Sequence, residues 1–241
     1  EGMHGSYTVG TSGQEDFKSI KEAVDALGNG IDGPVEFLLS DGNYHEAVMI
    51  PEVTGSSELN TITMRSASGK RDNVVITYDV YKDPGSSHYD QRYGVFTLDG
   101  VDYFTLKDLT VATDKTIFPG ILFIRNSSRH DKVENCVIRS PQSTDQGKGS
   151  TQVYMYSKNE ANRNSDYFTL KDCLIDGGLI GVNLGGTAYV SLPVQEGGHI
   201  AGNTFVRQGS KAIYVSAERD FVIENNTVIS EGGTTNSFWA I

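Results

Sequence analysis

The apolar and polar positions of this chain repeat as a short phrase. The clearest copies are residues 103–111, YFTLKDLTV, and residues 167–175, YFTLKDCLI, and looser copies occupy residues 132–138, 200–206 and 223–229. In each copy an apolar run precedes an Asp or Asn, and a second apolar run follows it. These polar positions recur about every 23–37 residues, a period that is typical of stacked repeat architectures.

The apolar runs read as strands, because their residues are β-branched or aromatic and alternate with polar ones. A further apolar run lies ahead of every copy, at residues 95–98, 120–124, 153–156, 181–184 and 212–215. One strand cannot bury its apolar face alone, but strands stacked in register can. Three strands per turn, with a stacked Asn or Asp at one bend, predict an all-β fold: a right-handed parallel β-helix.

The N-terminal segment predicts one short helix. The sequence SIKE at residues 19–22 has the form of a capping box, an apolar stripe follows it, and Gly28 ends it. This helix, over residues 19–28, is placed to cap the open apolar end of the β-helix. We therefore predict a single domain over residues 1–241, with residues 1–33 as the cap and residues 34–241 as coils.

The ends of the sequence lead us to expect a longer native protein. Glu1 is not a natural start, and residues 238–241 read as the opening strand of another coil. We expect the protein to continue beyond one or both ends, with further domains of the same chain.

Composition narrows the classes of partner. A formal net charge of −11 argues against a nucleic-acid or anionic-membrane surface, either of which needs a basic excess. The sequence has no run of about 18 apolar residues, so we predict no transmembrane segment. The five histidines are scattered without the spacing of a zinc site. We predict no metal site and no cofactor, with Ca²⁺ as the one ion that the acidic composition leaves open. An extracellular or cell-surface location is expected, with the periplasm as the second choice.

The two cysteines, Cys136 and Cys173, occupy the same place in neighbouring copies of the phrase. Adjacent strands lie about 4.8 Å apart, which is close enough for a disulfide. Leu109, Thr204 and Thr227 fill the same slot in the other copies. Stacked, buried, unbonded thiols are therefore the favoured interpretation.

Two stretches carry a resemblance to a known family. Residues 16–50, DFKSIKEAVDAL…GPVEFLLSDGNYHEAVMI, and the order of strand phrases over residues 101–184 resemble pectin methylesterases, which are right-handed β-helices within the pectin lyase-like superfamily. The opening is also similar to β-helix modules of large bacterial surface proteins of the Bacteroidetes type. The resemblance implies the fold and a link to polysaccharides.

The esterase phrases themselves are not matched. No glutamine stands near residues 119–122, where the family's Gln-Ala-Val-Ala phrase would fall, and Gln142 is followed by Ser143 rather than by aspartate. The nucleophile phrase would align with residues 177–184, GGLIGVNL, which places Ile180 at the aspartate. An isoleucine cannot attack an ester, so we predict no pectin methylesterase activity.

Other polysaccharide chemistry was weighed by residue type. A lyase needs a base and a positive group for the uronate carboxylate, and the candidates are Arg125, Arg129, Arg139, Arg163 and His130. A glycosidase needs two carboxylates across the sugar, and the candidates are Asp79, Asp83, Asp90, Asp172 and Asp176. None of these lies in a distinctive motif. The residues leave open whether the protein is an enzyme. If it is one, a lyase or a glycosidase is favoured over an esterase.

The strand that precedes each phrase predicts a binding face. Alternation assigns Ile121/Phe123, Val153/Met155, Val182/Leu184 and Ile213/Val215 to the inside. The opposite set then faces outward as an aromatic and amide track: Phe96, Leu122, Tyr154, Asn183 and Tyr214. With Arg125 nearby, these are the predicted substrate-binding residues, because aromatic faces beside hydrogen-bonding groups suit sugar rings.

Two functions follow from these patterns. The leading hypothesis is a secreted or cell-surface module that binds, and in one version processes, a polysaccharide or surface glycan. The alternative is a non-catalytic structural or adhesive β-helix within a larger surface protein.

Overall fold

A computed structural model describes residues 2–79, 94–115, 120–146, 149–156, 164–185, 194–231 and 240–241. One short helix, α1 (Ile20–Ala26), runs into a 3-10 turn (Leu27–Asn29). The other regular elements are strands in three parallel sheets. Within the described ranges, no helix has the length and apolarity needed to cross a membrane.

Each sheet collects one strand from every coil. Sheet A has eight strands: β1 (Met3–Val9), β2 (Ile31–Leu39), β5 (Ile62–Ser66), β8 (Phe104–Lys107), β11 (Lys132–Glu134), β14 (Phe168–Lys171), β17 (Gln195–Ala201) and β20 (Glu218–Glu224). Sheet B has seven: β3 (Gly42–His45), β6 (Val74–Thr77), β9 (Thr110–Ala112), β12 (Val137–Gln142), β15 (Leu174–Gly178), β18 (Thr204–Val206) and β21 (Thr227–Ile229). Sheet C has six: β4 (Val48–Pro51), β7 (Phe96–Asp99), β10 (Gly120–Arg125), β13 (Thr151–Tyr156), β16 (Ile180–Gly185) and β19 (Lys211–Ser216).

From β2 onward the chain visits sheets A, B and C in turn, and each strand pairs in parallel with strands of the neighbouring coils. Leu106, for example, pairs with Met64 on one side and with Val133 on the other. Parallel strands joined through such crossovers wind with a right hand. The predicted right-handed parallel β-helix with three strands per coil is confirmed.

The core is a continuous column inside the three sheets. In sheet A the alternation is regular, so Ile62 and Met64 of β5 are fully buried while Thr63 and Arg65 are half-buried on the outer face. Phe104 belongs to the same column and packs with its ring centroid 6.0 Å from that of Phe96. A strand with one buried face is stable here because its neighbours extend that face along the axis.

The corner between sheets A and B, which we call the A–B corner, is built by one residue of left-handed conformation. Asp108, Asn135 and Asp172 have φ of 55°, 47° and 54° and occupy equivalent positions in three successive coils. Asp and Asn tolerate this conformation better than most residues do. The Asn135 Nδ2 donates to Asp108 Oδ1 at 2.8 Å, so the stacked side chains also bond to each other.

The two last copies of the phrase differ from the prediction by one residue. Gly202 and Asn225, rather than Asn203 and Asn226, take the left-handed position, with φ of 66° and 54°. Asn203 and Asn226 point inward, in line with the cysteines. The predicted equivalence of Thr204 and Thr227 with the cysteines is therefore wrong, although that of Leu109 is right.

The inward position of the A–B corner is rich in hydrogen bonds. The backbone N–H of Cys173 donates to Asn203 Oδ1 at 2.9 Å. Asn203 Nδ2 donates to the carbonyl of Leu170 at 2.9 Å and to Asn226 Oδ1 at 3.0 Å. Cys136 and Cys173 are buried free thiols, as the favoured interpretation predicted, and burial raises the pKa of the Cys136 thiol.

Helix α1 lies at the N-terminal end of the column. The Ser19 hydroxyl accepts from the backbone N–H of Glu22 at 3.1 Å. The Glu46 carboxylate accepts from the N–H groups of Ile20 and Lys21 at 3.0 and 2.9 Å. A carboxylate at a helix N-terminus satisfies groups that have no partner within the helix. The apolar stripe of α1 joins the core cluster, so the predicted helical cap is confirmed.

Two N- and C-terminal details complete the fold. Strand β3 begins at Gly42, which pairs with Val74. Most of the strand predicted at residues 238–241 lies outside the described residues, but the carbonyl of Ala240 accepts from the N–H of Ile213 at 3.2 Å.

Candidate functional site

The outward side chains of sheet C form one row across the coils. The register aligns six residues, which we call the outer row: Met49, Thr97, Phe123, Tyr154, Asn183 and Tyr214. Tyr154, Asn183 and Tyr214 are therefore on the outer face, as the alternation predicts.

Phe96 and Leu122 are not on this face, so their predicted orientation is wrong. They pair with each other and with Val153, and both are fully buried in the core column. The error is a shift of one residue that affects two coils, where Thr97 and Phe123 take the outward positions instead. Its cause is the sequence GILFI over residues 120–124, which is apolar throughout and has no alternation that could fix the register.

The outer row is covered at its second and third members and open towards its C-terminal end. Thr97 and Phe123 are 1% and 0% exposed, whereas Tyr214 is 41% exposed. Tyr154 and Asn183, between them, are half-buried. The Phe123 and Tyr154 ring centroids lie 5.4 Å apart. The exposed part of the row therefore runs over three consecutive strands, β13, β16 and β19.

A positive charge lies beside the open end. Lys211 begins β19, and its Nζ lies 4.3 Å from the centroid of the Tyr214 ring. This is the geometry of a cation–π contact. The exposed face thus presents a tyrosine ring, an amide and an ammonium group close together.

Arg125 is at the far edge of the same face and is already engaged. Its Nε and Nη2 donate to the two oxygens of Asp99 at 2.9 and 2.8 Å, and its side chain is 11% exposed. Burial alone would raise the pKa of Asp99, but the hydrogen bonds from Arg125 and Asn126 outweigh it and lower that pKa. The guanidinium charge is therefore balanced within the protein.

The described carboxylates among the glycosidase candidates are not brought together. Asp172 builds the A–B corner, and Asp176 lies on the outer side of sheet B, where Arg139 donates to it at 3.0 Å and Arg207 at 2.9 Å. Asp79 follows β6, and the other two carboxylates, Asp83 and Asp90, lie outside the described residues, as does the lyase candidate Arg163. Among the described residues, no three His, Cys, Asp or Glu side chains are placed to hold a metal.

A second surface feature was missed by the sequence reasoning. His130 lies between Tyr103 and Tyr167, with ring centroids 4.6 Å from each and interplanar angles of 4° and 10°. All three residues have φ between 57° and 60°. With Glu58 and Lys132 they line an open pocket of about 340 Å³ on sheet A. The sequence carries a signal for this stack, because each of the three residues is the first of a phrase that leads into a sheet A strand: YFTL, HDKV and YFTL.

No family model matches this chain, and no curated protein matches it by sequence. Solved structures do resemble it. The Escherichia coli protein YbhC aligns over 97% of this chain and 74% of its own, with 16% identity and a TM-score of 0.62. A mutant pectin methylesterase in complex with a hexasaccharide aligns over 98% of this chain and 92% of its own, with 12% identity and a TM-score of 0.52.

The chain has the pectin methylesterase-like β-helix fold. At this level of identity the likeness establishes the fold and leaves the chemistry to the residues. Ile180, aligned with the esterase nucleophile by sequence, is the first residue of β16 and is half-buried. The Gln142 amide donates to the carbonyl of Glu231 at 3.0 Å. The absence of esterase activity stays a prediction.

Proposed function

We propose that this protein is a secreted or cell-surface module that binds a polysaccharide along the exposed part of the outer row. The observation that carries the proposal is the presence of Tyr154, Asn183 and Tyr214 on three consecutive strands. Adjacent strands lie about 4.8 Å apart, so the two tyrosines are separated by about two such spacings. A polymer lying across the strands would meet an aromatic, an amide and a second aromatic group in turn.

The chemistry of the face suits sugars. Tyrosine rings offer an apolar surface together with a hydroxyl, and the Asn183 amide can both donate and accept hydrogen bonds. Lys211, next to the Tyr214 ring, adds a positive charge that favours a polymer with carboxylate groups. The described residues of the row include no carboxylate that would repel one.

The structural neighbours support a link to carbohydrates. One of them is a pectin methylesterase in complex with a hexasaccharide, and it shares the β-helix over nearly the whole of this chain. Extracellular or periplasmic location follows the same analogy. Processing of the polymer, by lyase or glycosidase chemistry, belongs to the proposal only as an extension, because no described pair of residues in the row has the groups for it.

The structural or adhesive alternative rests on a different observation. Thr97 and Phe123 belong to the outer row but are almost completely buried, so part of the face is unavailable to a polymer. If the remaining part binds nothing, a scaffold role is the better account.

The proposal is tested by measuring retention of the protein in native gels that contain uronate polymers or neutral glycans, with depolymerisation followed in parallel. The double variant Tyr154→Ala/Tyr214→Ala is expected to weaken binding by about 30-fold, since each aromatic contact contributes roughly 1 kcal/mol. Tyr78→Ala is the matched control, because Tyr78 is 37% exposed but follows a strand of sheet B. It should bind as the wild type does.

Two outcomes would contradict the proposal. Wild-type protein that is retained by no glycan leaves a scaffold or adhesin. Binding that survives the double variant would show that the polymer binds elsewhere on the molecule.

A further inference from the structure

The corner between sheets C and A, which we call the C–A corner, carries a column of polar side chains inside the β-helix. Gln195 begins β17 and pairs with Glu218, which begins β20 in the next coil. Ser165 lies in the coil before. The N–H of Tyr167 donates to the carbonyl of Glu196 at 2.8 Å, which holds residues 165–167 beside residues 195–197. Successive members of this column are therefore about one strand spacing, 4.8 Å, apart.

The side-chain oxygens of the column are shielded from solvent, yet they have no hydrogen-bond partner among the described residues. Ser165 and Gln195 are each 1% exposed. Ser165 Oγ, Gln195 Oε1 and both carboxylate oxygens of Glu218 are shielded from solvent and find no hydrogen-bond partner among the described residues. An unsatisfied buried polar atom costs about 1–3 kcal/mol, and more when it is charged. Four such oxygens in one place indicate a site that binds a ligand.

The charges around the column favour a positive partner. The Gln195 Oε1 can only accept hydrogen bonds, and the two Glu218 oxygens can only accept them when Glu218 is ionised. Three of the four oxygens therefore suit a positive partner. Asp166 adds a second carboxylate, whose Oδ1 accepts from the N–H of Glu196 at 2.8 Å. Its Oδ2 lies 3.9 Å from Arg129 Nε, which offsets part of the negative charge.

The surroundings of Glu218 disfavour its ionised form. Burial, and after it the charge of Asp166, raises the pKa of Glu218 to about 8. A carboxyl group in such a place is stabilised either by keeping its proton or by binding a cation that displaces it.

We propose that Glu218, Gln195 and Ser165 form an oxygen-lined site for a divalent cation of the Ca²⁺ type inside the C–A corner. Carboxylate, amide carbonyl and hydroxyl oxygens are the ligands of hard cations, and Ca²⁺ accepts irregular sets of them more readily than Mg²⁺ does. The ion would join three successive coils. With one direct carboxylate the affinity is low, and we expect a Kd of about 0.1–1 mM, the range of weak extracellular sites.

The test uses the whole protein, stripped of metal with EDTA and dialysed, and measures CaCl₂ binding by calorimetry and Tm by scanning fluorimetry. At 10 mM CaCl₂ the Tm of the wild type should rise by about 5 °C, with a smaller rise in MgCl₂. Glu218→Gln should abolish both the binding heat and the shift. Gln195→Met keeps the volume of the side chain but removes the amide, and it should weaken binding at least tenfold.

The matched control is Glu224→Gln. Glu224 ends the same strand β20, is exposed, and contacts His199 on the outer face at 2.8 Å. This variant should keep the full Ca²⁺ response. The proposal is overturned if CaCl₂ gives neither heat nor a Tm shift with the wild type, or if Glu218→Gln and Gln195→Met bind Ca²⁺ as the wild type does.

Discussion

The A–B and C–A corners of this β-helix differ in how they satisfy the hydrogen-bonding groups of their inward polar side chains. At the A–B corner the polar side chains bond to each other and to the backbone, as Asn203 does with Leu170, Cys173 and Asn226. At the C–A corner only some of them do: Asp131 and Asp166 each accept from one backbone N–H, but other buried atoms have no hydrogen-bond partner among the described residues. Among the described residues, seven buried polar side-chain atoms have no hydrogen-bond partner, and six of them belong to residues of the C–A corner: Arg129, Asp131, Ser165, Gln195 and Glu218. The A–B corner therefore satisfies its own polar groups, whereas the C–A corner leaves buried oxygens available to a ligand.

The contrast teaches where function can reside in a repeat protein. Buried polar groups that satisfy each other stabilise and specify the fold. Buried polar groups that do not are retained at a cost in stability, and such residues concentrate at sites that bind or react. Substitutions at the two corners should consequently change stability in opposite directions.

The largest expected effect is at the A–B corner. Asn203→Ala should lower the free energy of unfolding by about 3 kcal/mol, because it leaves the N–H of Cys173 and the carbonyl of Leu170 buried without partners. Urea unfolding at pH 7 measures it. Asn226→Ala, in the last described coil and only half-buried, serves as the graded control and should lose about 1 kcal/mol. Equal losses of stability at the two positions would contradict the prediction that the more deeply buried asparagine contributes more.

The second effect has the opposite sign. Asp131 is fully buried one residue before β11, in line with Phe104 and Phe168, and its Oδ1 accepts from the N–H of Phe104 at 2.9 Å. Burial raises its pKa well above the usual value of 3.8. A raised carboxyl pKa means that its contribution to stability is complete at pH values below 3.8 and is lost as the pH rises.

Asp131→Asn should therefore stabilise the protein at pH 7 by about 1–2 kcal/mol, since the amide keeps the acceptor without a charge to bury. Urea unfolding at several pH values between 4 and 8 measures the gain, which should grow as the pH rises. The control is Asp114→Asn, a carboxylate that is 81% exposed, where a change within about 0.5 kcal/mol is expected. Destabilisation by Asp131→Asn at neutral pH would contradict the prediction, because it would show that the ionised carboxylate of Asp131 stabilises the folded protein.

The smallest effect concerns the ring stack on the outer side of the C–A corner. His130→Asn removes the middle ring while keeping a residue type that tolerates φ of 58°. A loss of about 0.5–1 kcal/mol is expected, because two stacked contacts disappear. His130→Tyr continues the row of rings and should retain most of that stability. Thermal unfolding of the two variants side by side separates stacking from backbone conformation, and equal Tm values would argue against a role for the rings.

The fold could be predicted because its signal is repeated. Asp108 and Asp172 sit in nearly identical phrases, and each further copy added independent support for strands at one period. The register was harder. In β10 every residue from Ile121 to Ile124 is apolar, so the sequence does not show which of them face the core. Pairing with Val153 and Met155 settles it in the structure.

The site could be predicted only in part, for a related reason. Tyr154 and Tyr214 alternate with aliphatic residues, so their outward direction was readable from the chain. The column of Ser165, Gln195 and Glu218 was not, because the lengths of the connections that bring these residues to one corner differ from coil to coil. Their lack of partners is a property of packing, which residue types alone do not reveal.

The constancy of the A–B corner has a consequence for how such a chain can change. From β8 onward, two residues separate each sheet A strand from the following sheet B strand: Asp108-Leu109, Asn135-Cys136, Asp172-Cys173, Gly202-Asn203 and Asn225-Asn226. The other two connections range from a single residue, such as Leu179 or Ala217, to segments several times longer. Insertions and deletions at those connections leave the phase of the next coil untouched. A whole coil, such as the segment from Asp108 to Glu134, could therefore be duplicated or exchanged as one unit, and the neighbouring coils would keep their register.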